Sequence, residues 1–348
     1  MIDDECEAYK SFQYLNIIFN NSLQNNVREV LVFEYTLNKS VIKRLLQKLY
    51  VYLAFFPIIS NLFIHKSLKF PKKLNKYAIV PGNHRVRFFG SDLKEIIVLL
   101  KEGERVKFVE NDIRARFKNN ISYAPKILSH GSDWLIEEFV NGVPFNRLKG
   151  SLNFDMAIDI LIKSHLTELI NKEKKTINIE NYLQFCLDEI YALTNIIVND
   201  SSVKILNTVN KIIDDIRNEN LIEIETSFTH GDFQKGNMRI NSNNEIFVLD
   251  WEAADTRFYL YDLFVMISEI RTGNDLESSF MLFFNNIERF DSTNVRYSKK
   301  VTKSLLCLEE LRFHLNEDIS KNYFYSGVRC HNVIKTINDY LFSLDLKS

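Results

Sequence analysis

Cysteines are few in this sequence, and their spacing argues against the sites that cysteines build. The four are Cys6, Cys186, Cys307 and Cys330, and no two of them form a C-x-x-C pair. Neither a disulfide framework nor a zinc site is therefore expected. The N-terminus opens with acidic residues and lacks a basic start followed by an apolar stretch, so no secretory signal peptide is predicted. The expected compartment is the reducing cytoplasm.

Glycine, proline and net charge are also low. The chain has 10 glycines and 5 prolines among 348 residues, while 46% of its residues are hydrophobic. This composition leaves little room for low-complexity sequence and can form a large core. The net charge of -1 gives no overall attraction to a polyanion, so nucleic acid is not an expected partner. One or two ordered domains are predicted.

Acidic residues are absent from residues 39–76, which carry nine lysines and arginines. The centre of this segment, residues 49–64, is apolar but is interrupted by Pro57 and a Ser-Asn pair. It is shorter than the roughly 20 residues that a membrane-spanning helix needs. Two alternatives stay open: a buried helix pair that docks on the rest of the protein, or an interfacial hairpin on an anionic membrane. Residues 1–75 are predicted to be an N-terminal extension with one of these roles.

Short strand-like runs in residues 76–141 predict a β-rich lobe. The runs YAIV, RVRFF and EIIVLLK are separated by turn-forming residues, and KILSHGSDWLIEEFV contains two more. Between them, apolar residues recur at helical spacing: Val106, Val109, Ile113 and Phe117. We therefore expect a small antiparallel sheet with one helix.

Helical periodicity dominates residues 142–348. The exception is residues 228–252, a predicted strand-turn-strand stretch in which the chemically suggestive side chains concentrate. The predicted fold class is therefore α+β, with a small antiparallel β N-terminal lobe and a larger, mainly helical C-terminal lobe.

Two aspartates and an asparagine occupy loop positions in residues 228–252. Asp232 lies five residues before Asn237, and Asp250 follows 13 residues later at the end of the apolar run EIFVL. A β-hairpin would return Asp250 to the neighbourhood of the other two. Phosphoryl transfer needs such a set, because a carboxylate orients and deprotonates the attacking hydroxyl while oxygen ligands fix Mg²⁺.

This segment resembles the aminoglycoside phosphotransferase and choline kinase superfamily, in which an H-G/N-D-x-x-x-x-N motif precedes an I-D-W/F-E motif. The two motifs read HGDFQKGN at residues 230–237 and LDWE at residues 249–252. The resemblance extends over residues 77–270. It implies a two-lobed, protein-kinase-like fold that uses ATP and Mg²⁺ to phosphorylate a hydroxyl group of a small molecule.

The resemblance also implies roles for single residues of the catalytic segment. Asp232 would be the catalytic base, and Asn237 and Asp250 would be magnesium ligands. His230 would brace the catalytic loop rather than react. Asp262 would support the same loop.

Nucleotide contacts are implied in the N-terminal lobe. Lys101 would bind the α- and β-phosphates, and Glu110 at the start of the predicted helix would fix this lysine. The turn containing Gly82-Asn83 is a candidate for the loop that covers the phosphates. An ordinary hairpin turn fits that sequence equally well, since the usual glycine-rich pattern is absent. The backbone near Glu137 and Phe139 would bind the adenine.

The acceptor does not follow from the shared motifs. A cationic acceptor would need acidic and aromatic side chains near the catalytic loop. Candidates for contacting it are Trp251, Glu252 and Asp255, with Phe258 and Tyr259. Core packing explains the aromatic residues equally well.

Three functions remain open at this stage. The first is an ATP- and magnesium-dependent phosphotransferase acting on a sugar, an amino-alcohol or an aminoglycoside-like compound in the cytoplasm. The second is a sugar or glycan kinase of surface-polysaccharide or lipopolysaccharide assembly, held at the inner face of the membrane by residues 39–76. The third is a nucleotide-binding pseudokinase or scaffold.

Overall fold

The structure is a computed structural model, and the ranges that it describes cover most of the chain after residue 75. The described residues are 6–12, 17–19, 66–71, 76–81, 85–90, 92–100, 112–118, 121–132, 134–145, 148, 152–195, 200–287 and 296–320, with single residues 42, 45, 46, 49, 52 and 53. Four residues predicted to bind the nucleotide, Gly82, Asn83, Lys101 and Glu110, lie outside them. Those assignments stay predictions, as does the role of residues 1–75.

The chain divides into two units. Unit 1 contains residues 1–109, 124–144 and 239–247, and unit 2 contains residues 110–123, 145–238 and 248–348. Antiparallel strands dominate the described part of unit 1, and helices dominate that of unit 2. The α+β class predicted from the sequence is confirmed.

The strands follow one another along the chain and are numbered in that order. They are β1 (Cys6–Phe12), β2 (Ile17–Phe19), β3 (Lys66–Pro71), β4 (Tyr77–Pro81), β5 (Arg85–Gly90), β6 (Glu95–Leu100), β7 (Ile127–His130), β8 (Trp134–Glu138), β9 (Val143–Pro144), β10 (Lys175–Asn178), β11 (Glu223–Thr229), β12 (Met238–Ile240), β13 (Ile246–Val248) and β14 (Asp255–Phe258).

The helices are numbered in the same way. They are α1 (Leu152–Ile160), α2 (Thr167–Asn171), α3 (Ile179–Thr194), α4 (Asp200–Arg217), α5 (Tyr261–Ser268), α6 (Leu276–Asn286) and α7 (Lys299–Ser320). Short π-helical segments span Arg114–Lys118 and Leu161–Leu166, and 3-10 turns span Lys235–Asn237, Trp251–Ala253 and Ile270–Thr272.

Unit 1 is built on an eight-stranded antiparallel sheet with the order β3-β1-β2-β4-β5-β6-β8-β7. The predicted meander forms its centre as β4, β5 and β6, and the two further predicted strands are β7 and β8. Apolar side chains of these strands are buried, including Ala78, Phe89, Val98 and Leu135. Strands β1, β2 and β3 come from the first 75 residues and were not predicted.

A second, smaller sheet joins β13, β12 and β9 in that order. Gly142 precedes β9 where the chain passes close to β12, since a Cβ atom there would lie 2.7 Å from the carbonyl oxygen of Ile240. Asn241 closes the β12–β13 hairpin, because its side-chain oxygen accepts hydrogen bonds of 2.9 Å from the backbone N–H groups of Asn243 and Glu245. This hairpin follows the HGDFQKGN segment and leads into LDWE.

Unit 2 packs its helices around α7, which contacts α3, α4, α5 and β14. α7 buries charged residues that form ion pairs. Arg312 donates to Glu189 at 2.8 Å and to Glu309 at 2.7 Å, and Glu309 also accepts from Arg257 at 3.1 Å. Burying charges is costly unless each finds a partner, so this network fixes how α7 packs against α3 and β14.

Candidate active site

The HGDFQKGN segment forms a loop between β11 and β12, which we call the catalytic loop (residues 230–237). Its entry is tightly packed, since His230 is buried and Gly231 has a φ of 81°. A Cβ atom at Gly231 would lie only 2.2 Å from the carbonyl oxygen of Ala253. Both the backbone angle and the lack of space require glycine at this position.

Asp262, at the start of α5, holds the entry of the catalytic loop by its backbone. Its carboxylate accepts the backbone N–H groups of His230 at 2.6 Å and Gly231 at 2.9 Å. Burial raises the pKa of Asp262 to about 7, although these two hydrogen bonds favour the ionised form. The geometry suits the supporting role that the resemblance implies for this residue.

The imidazole of His230 links the catalytic loop to the LDWE segment. Its Nδ1 accepts the backbone N–H of Asp232 at 3.2 Å, so the proton resides on Nε2, which donates to the carbonyl oxygen of Leu249 at 2.9 Å. Burial lowers the pKa of His230, which favours the neutral ring. The ring also packs edge-on against Trp251, with centroids 4.6 Å apart. These contacts suit a brace between the two motifs.

The carboxylate of Asp232 accepts hydrogen bonds on both oxygens. Oδ2 accepts Nε2 of Gln234 at 2.8 Å and Nδ2 of Asn237 at 2.9 Å, while Oδ1 accepts Nε of Arg271 at 3.1 Å. Nδ2 of Asn237 also donates to the backbone oxygen of Asp232 at 3.0 Å. The amide nitrogen of Asn237 therefore faces Asp232, and its amide oxygen is the atom left to face a cation.

Asp250 is positioned by its neighbour Leu249. The N–H of Leu249 donates to the carbonyl oxygen of Asn237 at 2.7 Å, so the residue before Asp250 is bonded to the end of the catalytic loop. Asp250 itself has a left-handed conformation, with φ 70° and ψ 56°. A non-glycine residue in this region is uncommon and strained, and such residues concentrate at functional sites.

The carboxylate of Asp250 and the amide oxygen of Asn237 are the types of donor that could hold Mg²⁺. It is usually bound by one or two carboxylates and completes its shell with water and substrate phosphates. Within the described ranges there is no group of three or more His, Cys, Asp or Glu side chains that could hold a metal. The oxygen donors at this site fit a magnesium ion that takes further ligands from a nucleotide.

The residues proposed to contact an acceptor have different environments. Trp251 is fully buried, and its Nε1–H donates to the carbonyl oxygen of Val248 at 2.8 Å. Phe258 and Tyr259 are buried as well. The aromatic side chains thus pack in the core. Core packing was the alternative to acceptor contact in the sequence analysis. Glu252 and Asp255 are half-buried.

The two described residues predicted to lie near the adenine belong to unit 1. Glu137 is in β8 opposite Ile96 of β6, and Phe139 follows the strand with its backbone N–H donating to the carbonyl oxygen of Lys94 at 2.9 Å. Phe139 packs edge-on against Phe89, with ring centroids 6.2 Å apart. Their contact with a nucleotide stays a prediction.

Sequence reasoning missed Gln234 and Arg271 as partners of Asp232. Gln234 lies inside the HGDFQKGN motif and could have been found from its position. Arg271 lies 39 residues from Asp232, in a turn that no motif marks. Its contact is created by tertiary packing alone.

Comparison with known proteins shows similarity to phosphotransferases in the segment of the two motifs and in the fold. A sequence profile described as the phosphotransferase enzyme family matches residues 199–282, which include both motifs. The gentamicin complex of APH(2")-IIa is 16% identical and aligns over 75% of this chain and 88% of that chain, with a TM-score of 0.50. The chain thus has a fold similar to that of this phosphotransferase, and the profile match covers the segment that carries the two motifs. The kinase-like fold and the resemblance to the aminoglycoside phosphotransferase and choline kinase superfamily are therefore confirmed, and the profile match agrees with a small-molecule kinase.

Two further solved structures with a similar fold are about equally distant in sequence. ADP-bound aminoglycoside phosphotransferase APH(2'')-Ib is 16% identical over 76% of this chain and 90% of that chain, with a TM-score of 0.49. A choline kinase from Cryptosporidium parvum Iowa II is 14% identical over 77% of this chain and 90% of that chain, with a TM-score of 0.47. No curated protein sequence matches the chain.

Proposed function

We propose that this protein transfers the γ-phosphoryl group of ATP to a hydroxyl group of a small molecule, with Asp232 as the catalytic base. The observation that carries the proposal is the hydrogen bond of 2.9 Å between Asp232 and Asn237. It leaves the amide oxygen of Asn237 as the side-chain atom that a cation could use, and Asp250 follows a residue whose N–H is bonded to the carbonyl oxygen of Asn237. This arrangement supports the proposal that one short segment supplies the base and two oxygen ligands for the metal.

In the proposed reaction, Asp232 accepts the proton of the acceptor hydroxyl as its oxygen attacks the γ-phosphorus. The new P–O bond forms in line with the bond to ADP, which breaks. Asn237 and Asp250 would hold Mg²⁺, which when bound neutralises charge on the phosphates. Asp262 and His230 keep the backbone of the catalytic loop in place during transfer.

Nucleotide contacts complete the proposal. Lys101 would bind the α- and β-phosphates and be fixed by Glu110, and the turn at Gly82-Asn83 would cover the phosphates. Adenine would bind the backbone near Glu137 and Phe139. These assignments rest on the superfamily resemblance.

A coupled ADP-release assay with Mg-ATP tests the proposal. The acceptor panel contains aminoglycosides, choline, ethanolamine, homoserine, hexoses, heptoses and membrane-extracted glycolipids, and Asp232→Ala protein is the control. One acceptor that accelerates ADP release only with the unmutated protein would support both the reaction and a substrate class. No response to any compound, with tight Mg-ATP binding, would instead favour a polymeric acceptor or a pseudokinase.

One observation favours the second candidate, a sugar or glycan kinase at the membrane surface. Residues 42, 45, 46, 49 and 52 are helical, and their apolar side chains are between 55% and 71% exposed. Their spacing of three and four residues places them on one helix face. The surrounding segment, residues 39–76, has nine basic and no acidic residues. An apolar face in a basic segment suits the headgroup layer of an anionic membrane.

This candidate concerns only a surface contact at the inner face of the membrane. No helix of the described ranges is both long and apolar enough to cross a bilayer. Without this contact, the cytoplasm is the location that we propose.

Flotation with lipid vesicles tests the surface contact. The protein should float with vesicles that contain phosphatidylglycerol and stay behind with pure phosphatidylcholine, and Leu45→Asp together with Leu49→Asp should abolish flotation. Ile222→Asp is the matched control, because Ile222 is 74% exposed and lies outside residues 39–76. Equal flotation of the unmutated protein and the double variant would refute the contact.

A further inference from the structure

The turn that follows α5 places two charged side chains against the catalytic loop. This turn, Glu269–Gly273, has left-handed residues at both ends, with φ of 52° at Glu269 and 102° at Gly273. Glu269 forms an ion pair with Lys235, and Arg271 forms one with Asp232. A strained non-glycine residue persists only where surrounding contacts hold it, so the turn is fixed in this shape.

Arg271 uses each nitrogen of its guanidinium group for a different partner. Nε donates to Asp232 at 3.1 Å, Nη1 to Glu310 at 2.6 Å and Nη2 to the hydroxyl oxygen of Tyr261 at 2.9 Å. The guanidinium carbon also lies 3.9 Å from the ring centroid of Phe313. The side chain of Arg271 is only 9% exposed. Its orientation is therefore set from several directions.

Glu310 anchors this arrangement from α7. Its carboxylate is fully buried and also accepts the hydroxyl of Tyr261 at 2.8 Å. Burial alone would raise the pKa of Glu310, but Arg271 and His314 hold it well below its ordinary value. Glu310 thus supplies a fixed negative charge behind Arg271.

The two oxygens of the Asp232 carboxylate differ in how they are held. Oδ2 is bound by side chains of the catalytic loop itself, Gln234 and Asn237, and Oδ1 is bound by Arg271 from outside the loop. An ionised carboxylate has about four acceptor positions, so Oδ1 keeps a position for an acceptor hydroxyl while Arg271 is bound. The contact fixes the plane of the carboxylate without blocking it.

We propose that Arg271 is a positioning residue, which holds the carboxylate of Asp232 in the orientation that meets the acceptor hydroxyl. This inference rests on the proposed role of Asp232 as the base. Arg271 acts through Asp232 and belongs to no motif of the sequence. Glu310, Tyr261 and Phe313 set its position.

Hydrolysis of Mg-ATP, with water in place of the acceptor, tests the proposal without knowledge of the acceptor. Arg271→Ala should lower kcat on the order of 10- to 100-fold, since misplacing a reacting group by about 1 Å costs up to about 100-fold. The KM for Mg-ATP should change by less than about twofold, because Arg271 acts on the transfer step. Added guanidinium chloride at millimolar concentration should restore part of kcat, whereas the same concentration of NaCl should not. Arg271→Lys keeps the charge, and its kcat should lie between those of Arg271→Ala and the unmutated protein.

Lys303→Ala is the matched control for the loss of a cation. Lys303 pairs with Glu277 at 3.1 Å and lies over the ring of Phe280, so it has the same types of partner without touching Asp232. Its kcat should equal that of the unmutated protein. An Arg271→Ala protein with kcat within twofold of the unmutated protein, or a loss of kcat that guanidinium does not restore, would overturn the proposal.

A wrong assignment of Asp232 as the base would give a different result from a wrong role for Arg271. In that case Asp232→Asn would hydrolyse Mg-ATP as fast as the unmutated protein. Deuterium exchange of residues 230–237 then still decides the role of Arg271. Faster exchange in Arg271→Ala than in Lys303→Ala would show that Arg271 holds Asp232 and its loop in place, and equal exchange would overturn that role.

Discussion

Three glycines provide a graded test of how tightly the catalytic loop is packed. Gly231→Ala would add a methyl group 2.2 Å from the carbonyl oxygen of Ala253, at a φ of 81°. Gly273→Ala would meet nothing within 4 Å but would adopt a φ of 102°. Gly236→Ala would make only an ordinary contact of 3.5 Å with Gln234. The series separates backbone strain from steric overlap.

The expected losses of unfolding free energy follow from these differences. At Gly236, alanine should be neutral or should stabilise the protein by up to about 1 kcal/mol, because it restricts the unfolded chain. At Gly273, the left-handed conformation should cost about 1–2 kcal/mol. At Gly231, the same strain is joined by an overlap with backbone, for which overpacking costs suggest a further 1–3 kcal/mol, roughly. The total for Gly231→Ala is therefore about 2–5 kcal/mol.

Urea denaturation followed by tryptophan fluorescence measures all three variants. Trp251 is buried and belongs to the turn Trp251–Ala253 that Gly231 contacts, so its emission should report unfolding of this region. The predicted order of stability is Gly236→Ala, then Gly273→Ala, then Gly231→Ala. Equal stability of the Gly231 and Gly273 variants would show that Ala253 does not crowd Gly231, and would refute the packing described for the catalytic loop.

Three further predictions concern the loop support, the metal site and the buried ion pairs. Asp262→Ala removes the acceptor of the N–H groups of His230 and Gly231, so these amides should exchange with deuterium at least about tenfold faster. Unchanged exchange would contradict the role of Asp262 as a support of the catalytic loop. Asp250→Ala should weaken binding of Mg-ATP but not of metal-free ATP in calorimetric titrations, and equal losses would count against a metal ligand. Burial would raise the pKa of Glu189, but Arg312 and other donors lower it from 4.5 to about 2. Ionised Glu189 therefore adds to the free energy of unfolding above pH 4.5, and this stabilisation is lost as the pH falls toward 2. Urea titrations between pH 6 and 3 should show a fall in the free energy of unfolding, of at most about 3 kcal/mol from this group. In Glu189→Gln protein this fall should be smaller.

The part of the fold that could be predicted is the part with local signals. Strands β4 to β8 have alternating apolar residues and turn-forming residues between them, so their order along the chain was readable. β1 and β3 pair with each other across more than 50 residues, with Cys6 opposite Pro71, and their sequences CEAYKSF and KSLKFP show no clear alternation. Long-range pairing of this kind leaves no short-range pattern to read.

The candidate site divides in the same way. Asp232, Asn237 and Asp250 lie in one loop and hairpin, so their spacing carries the information that brings them together. Arg271 reaches Asp232 only because α5 and the following turn fold back on the loop. For Trp251, the residue type suited both acceptor contact and core packing, and only its burial distinguishes them.

The most direct test of the account is a side-by-side measurement of Mg-ATP affinity and ADP release for Asp232→Asn and the unmutated protein. Asp188→Asn on α3 is the matched control, since Asp188 is exposed and accepts a hydrogen bond from the nearby side chain of Gln184. Loss of a positioned base should lower turnover on the order of 10² to 10⁴-fold while the affinity for Mg-ATP stays the same. Turnover by Asp232→Asn equal to that of Asp188→Asn would contradict the assignment of Asp232 as the base.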